Sequence, residues 1–88
     1  MILLVTYDLV NPGKDYSLLY EALKEAPAWW HYLESTWLIK TNLSPQQWFN
    51  KLKPFIDDND RIFIMEITKN YQGWLPRKAW DWIHRHEY

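Results

Sequence analysis

Cysteine is absent from this 88-residue chain, which excludes disulfide staples and thiolate metal centres and fits a reducing compartment such as the cytoplasm. Long apolar runs are absent too. The longest falls far short of a membrane span, and Met1 opens directly on a strand-like run with no basic segment or cleavage signal before it. The expectation is a soluble, cytoplasmic protein with no membrane partner. Neither sign of charge dominates, since ten Lys and Arg against eleven Asp and Glu leave a formal net charge of −1. Without a global field that attracts polyanions, affinity for RNA or DNA has to come from a local patch. Most of the cations stand in the second half, at Lys51, Lys53, Arg61, Lys69, Arg77, Lys78 and Arg85. Internal repeats and low-complexity stretches are missing as well.

Aromatic side chains are abundant, with seven Trp, six Tyr and three Phe, and such residues dominate cores and interfaces because each buries a large area. A domain of this size buries only roughly 60 to 65% of its unfolded surface, so association of two copies is the remaining route to a larger core. The strand-like runs at residues 1–7 and 61–68 sharpen that expectation. Successive strand side chains point to opposite faces, so Ile2, Leu4 and Thr6 oppose Leu3, Val5 and Tyr7, and neither set wants water. Two or three helices roof one face of a sheet. The second face is expected to lie bare and to be covered by a partner copy, giving a homodimer.

Between these runs, Asn11, Pro12 and Gly13 form a turn cluster, and Asp15 is the expected N-cap of a helix carrying Tyr16, Leu19, Tyr20, Leu23 and Ala26 on one side until Pro27. Residues 28–33 and 34–41 read as two strands, or as one long strand bulged near Glu34 and Ser35, because no Asn-Gly or Gly-Gly turn divides them. Ser44, Pro45 and Gln47 supply an N-cap, a first-turn proline and a capping-box partner for a helix with Trp48, Phe49 and Leu52 inward, ended or tightened at Pro54. Asp57, Asp58 and Asp60 lack the glycine and distal glutamate of a calcium loop and read as a solvated turn. Pro76 opens a last short helix with Ala79, Trp80 and Ile83 on one side. The order βαββαβ is the ferredoxin-like arrangement: an α+β domain with a four-stranded antiparallel sheet and two helices on one face. It is expected to span residues 1–88 as a single domain, with a core at 1–69 and a Trp-rich extension at 70–88.

The segments Leu3-Leu4-Val5-Thr6-Tyr7-Asp8-Leu9, Glu34-Ser35-Thr36-Trp37-Leu38-Ile39 and Asp60-Arg61-Ile62-Phe63-Ile64 together resemble the SinR-like proteins. These group with the VapD toxins and the second CRISPR-associated protein, the small subunit of the spacer-integration complex. The resemblance covers roughly residues 1–69 through short motifs. It implies a homodimer packed through its sheet faces and a role in prokaryotic defence or toxin-antitoxin biology. In the CRISPR relatives an aromatic-Asp pair ends the first strand, and the two symmetry-related Asp residues are proposed to share a divalent metal for phosphodiester cleavage. Tyr7-Asp8 matches that pair, and Ser35 matches a serine at the start of their third strand. Those nucleases carry a basic segment after the first strand, where this chain has only Lys14.

Read from the residues themselves, Asp8 at a strand's carboxyl end offers a hard oxygen ligand for Mg²⁺, doubled if a two-fold axis mirrors it, or else binds its own backbone at the turn. Ser35 and Thr36 either position Asp8 and phosphate or satisfy a bulge. Lys14, Arg77, Lys78 and Arg85 are the candidate phosphate contacts, and Trp82 diverges from Trp80 by helical spacing and is the aromatic left free for a partner; the other tryptophans suit core packing. His84 and His86 diverge on a helix and do not face one ion, and His31 reads as an ordinary strand residue. The leading expectation is a nucleic-acid-associated homodimer, with metal-dependent endonuclease or endoribonuclease chemistry through paired Asp8. The alternative is a catalytically inactive binding or scaffold dimer. A third reading has residues 74–88 dock another protein.

Overall fold

Alternation along the opening run decides how the layers stack. In the computed structural model, which describes residues 1–11 and 13–87, that run is β1 (Ile2–Asp8). It lies inside an antiparallel sheet, flanked by β3 (Thr36–Lys40) and β4 (Arg61–Glu66), with β2 (Ala28–Leu33) at the far edge of β3. The order β2-β3-β1-β4 is that of a ferredoxin-like α+β fold. Val5 sits between Trp37 and Ile64, and Leu3 between Ile39 and Glu66, so these odd positions of β1 share one face with Tyr7. Helices α1 (Ser17–Leu23) and α2 (Pro45–Leu52) supply Leu19, Leu23, Trp48 and Leu52 to the same core. Trp37 and Trp48 are fully buried there.

The hairpin β2–β3 turns through Glu34 and Ser35 without any positive φ among the described residues, and the register shifts between Trp30 and Leu33. An unprimed two-residue turn splays its strands, so a bulge beside it restores pairing. The two-strand reading therefore holds and the single long strand does not, because the chain reverses at Glu34 and Ser35; the irregularity falls within β2, between Trp30 and Leu33. At α2 the capping box forms as expected. Gln47 N–H donates to Ser44 Oγ at 3.2 Å, and Ser44 N–H donates to Gln47 Oε1 at 2.8 Å. A 3₁₀ turn, Lys53–Phe55, follows, tightened by Pro54. Asp15 sits one residue ahead of the N-cap position of α1 and accepts the Ser17 N–H at 2.9 Å. Pro12, part of the expected turn cluster, lies outside the described residues.

The second face is not bare. Helix α3 (Arg77–His86) folds back over it, and Ala79 and Ile83 pack with Ile2, Trp30 and Leu38 in a second core cluster ringed by Leu4, Ile67, Tyr71 and Leu75. The Trp30 indole donates to the Ala79 carbonyl at 3.2 Å. Beyond the helix, the Tyr71 hydroxyl donates to Glu87. A residue as small as Ala79 lets the helix backbone come within hydrogen-bonding reach of the indole. The cover is partial, because α3 shelters the β2–β3 side and leaves Phe63 at 61% and Met65 at 45% exposure on β4. Among the described residues, no helix is long and apolar enough to cross a membrane.

Candidate functional site

Asp8 ends β1 on the second face, in step with Leu4 and Thr6, and is exposed to solvent. Among the described residues its carboxylate has neither a hydrogen-bond nor an ion-pair partner. Two hydroxyls lie next to it. Thr6 and Thr36 are register partners whose Oγ1 atoms share a hydrogen bond at 3.1 Å, and Thr6 also donates to the Ser35 carbonyl at 3.2 Å. That carbonyl accepts the Tyr7 N–H at 3.1 Å as well, so Ser35 reaches this strand end through its backbone. Arg61 is the register partner of Asp8, although its guanidinium donates to the Asp58 and Asp60 carbonyls at 3.0 and 3.1 Å. Thr6, Tyr7, Asp8, Arg61, Ile62 and Phe63 border a shallow hollow of about 250 Å³, and Ser35 and Thr36 lie outside its lining.

Tyr7 lies across the sheet from its neighbour. Its hydroxyl accepts from the Trp37 indole at 3.0 Å inside the helix-side core, and burial, more than any other cause, pushes its phenol up. The structure thus brings Asp8, Ser35 and Thr36 to one strand end and separates Tyr7 from them. Thr6 and Arg61 complete the constellation and were not singled out from the sequence. The signal for Thr6 was its parity with Asp8; that for Arg61 needed the β1–β4 register. The donor set is hard oxygen, which suits Mg²⁺, but one chain contributes a single carboxylate here. Among the described residues, no group of three or more His, Asp or Glu is placed to hold a metal ion.

Lys14 belongs to a different cluster. Its Nζ lies 3.7 Å from Asp57 and 3.9 Å from Asp60, and it stands over the Tyr16 ring at 5.3 Å. Asp60, expected in a solvated turn, is instead only 6% exposed. Its carboxylate accepts the Val10 N–H at 3.1 Å, the Tyr16 hydroxyl at 2.7 Å and the Asp57 N–H at 3.1 Å. Desolvation is the largest influence on this carboxyl and pushes its pKa up. The hydrogen bonds from Tyr16, Val10 and Asp57 and the charge of Lys14 together outweigh it and hold the group below the usual carboxylate range. The segment leaving β1 is thereby tied to the loop entering β4. Lys14 itself stays exposed, its charge placed beside Asp57 and Asp60.

Along α3, Lys78, Trp82 and Arg85 fall on one stripe and meet Tyr32 of β2 around a hollow of about 290 Å³, which Asp81 also lines. Trp82 is half-buried, its ring centroid 4.6 Å from that of His86. Burial, then the charges of Lys40 and Arg85, push the His86 imidazole pKa down. Arg77 is exposed in the first turn, outside the hollow. His31 stacks on Trp37 at 4.1 Å and its Nε2 meets the Glu34 carbonyl at 2.9 Å, so it braces the hairpin. Much of the segment from residue 75 onward packs on its own sheet, whereas Trp74 is 100% exposed at the rim of an apolar groove of about 370 Å³ between the second face and α3. Residue 88 lies outside the described residues. Compared with known proteins, the chain matches no family model and no curated sequence.

Proposed function

We propose that this protein is a homodimeric, nucleic-acid-associated protein of the prokaryotic defence or toxin-antitoxin kind, with phosphodiester cleavage organised around Asp8. The observation that carries the reading is an exposed, unpartnered carboxylate on the part of the second face where Phe63 and Met65 lie open. A second copy seated over that strip would take both apolar side chains out of water and add a second carboxylate. Two aspartates supply the oxygen donors that Mg²⁺ prefers, and a bound Mg²⁺ would supply an activated water and charge neutralisation at the phosphate. Thr6 lines the same hollow as Asp8, and Arg61, whose guanidinium binds the Asp58 and Asp60 carbonyls, would have to turn from them to meet a phosphate.

Labelled RNA and DNA incubated with the purified protein and Mg²⁺ or Mn²⁺, beside Asp8→Ala, test the cleavage step. Loss of activity in the variant is expected. Equal activity would remove Asp8 from the mechanism. Alternatively, the protein binds without cutting: Lys78, Trp82, Arg85 and Tyr32 cluster on α3 and β2, apart from Asp8, and need no carboxylate to hold a nucleic acid. Binding that survives Asp8→Ala, with no cleavage by the wild type under either metal, favours this reading.

A further inference from the structure

The hollow between β2 and α3 combines features that polyanion binding alone does not require. Tyr32 stands on an edge strand with 44% of its surface exposed, and Trp82 turns one side inward and another toward the hollow. Tyr32 meets Trp30 edge-on with ring centroids 5.4 Å apart and Trp82 meets His86 at 4.6 Å, and among the described residues the Tyr32 and Trp82 rings make no contact with each other. Lys78 and Arg85 flank Trp82 along the helix, roughly 10 Å apart by helical rise. Neither is paired with a carboxylate among the described residues. Asp81 is the one negative charge in the lining and weakens the hollow as a trap for simple anions. A ligand that gains here must bring both a flat π-face and phosphates.

We propose that this hollow binds single-stranded nucleic acid, with an unpaired base stacked against Tyr32 and Trp82 and its flanking phosphates met by Lys78 and Arg85. The proposal rests on the nucleic-acid reading above and names the form of the ligand. A duplex keeps its base faces buried in the stack, so aromatic walls recognise only strands whose bases are free. The two cations fix the backbone on either side without reading sequence.

The full chain is titrated with a short fluorescent oligothymidylate, with the same strand in duplex form, and with inorganic phosphate as competitor. Preference for the single strand is expected, with no displacement by millimolar phosphate. Tyr32→Ala should weaken binding about 5- to 150-fold, the range for loss of one base–aromatic stack, while Tyr32→Phe stays near wild type. Lys78→Gln with Arg85→Gln should flatten the logarithmic salt dependence by about 1.4, or about 0.7 per phosphate contact. These three residues are exposed, and circular dichroism checks that each variant folds. Equal affinity for single strand and duplex, or wild-type binding by Tyr32→Ala, overturns the proposal. Cleavage lost in Asp8→Ala alongside unchanged binding in Tyr32→Ala would sink the hollow and spare the Asp8 reading. Weakened binding in Tyr32→Ala alongside unchanged cleavage in Asp8→Ala would do the reverse.

Discussion

At Asp60 a single carboxylate gathers two backbone N–H groups and a tyrosine hydroxyl from segments 3 to 50 residues away in sequence. Because its folded pKa lies below the ordinary value near 3.9, the stabilisation is complete above that pH and is lost as pH falls through the folded pKa. Asp60→Asn is therefore expected to lower the melting temperature at neutral pH, with the gap to wild type narrowing below about pH 4. Thermal melts across pH 3 to 7 read this directly; a constant gap would mean the charge contributes nothing. Residue by residue, the sequence shows Asp57, Asp58 and Asp60 as equals. Only the approach of Val10 and Tyr16 separates them, and that depends on tertiary structure. Asp8 is different, since its position at a strand end is local and legible, whereas its hydroxyl neighbours require the register.

Among the elements, α2 was written almost completely in adjacent residues. Ser44, Pro45 and Gln47 lie within four positions, and each acts on the first turn of that helix. Ser44→Ala should cost about 1 kcal/mol in urea unfolding, because it leaves the Gln47 N–H without its acceptor. An unchanged urea midpoint would show the cap to be idle. The stripe of α3 was equally visible through Ala79, Trp80 and Ile83, but not its docking place. A helix stripe states that cover is wanted without stating where. Ile83→Ala should destabilise by about 2 kcal/mol, the lower end for a buried isoleucine, since this cluster is smaller than the helix-side core. Tryptophan emission should shift to the red as Trp30 gains water; an unshifted spectrum would show that α3 stays docked.

On the scale of the whole molecule, the βαββαβ order was legible because each element carried its own period and punctuation. What the periodicity could not tell was how the second face is shared. Odd and even positions of β1 both demanded shelter, and α3 meets half of that demand from within the chain. The strip at Phe63 and Met65 remains for the pairing proposed above. Sedimentation should give about twice the 10.9 kDa chain mass, and Phe63→Glu with Met65→Lys should return it to one chain, since both side chains are already exposed and the fold does not rest on them. A wild-type monomer at tens of micromolar would remove the pairing.

Partial shelter by α3 also limits how many neighbours one molecule can hold. With the helix in place, the open apolar strip on β4 is Phe63 and Met65, and two chains meeting there in the proposed pairing would satisfy one another and stop growth. Clipping the tail would lay Ile2, Trp30 and Leu38 open beside that flank. The result would be a broad greasy plate with room for several visitors at once, and the truncated chain would become the seed of open-ended clumping.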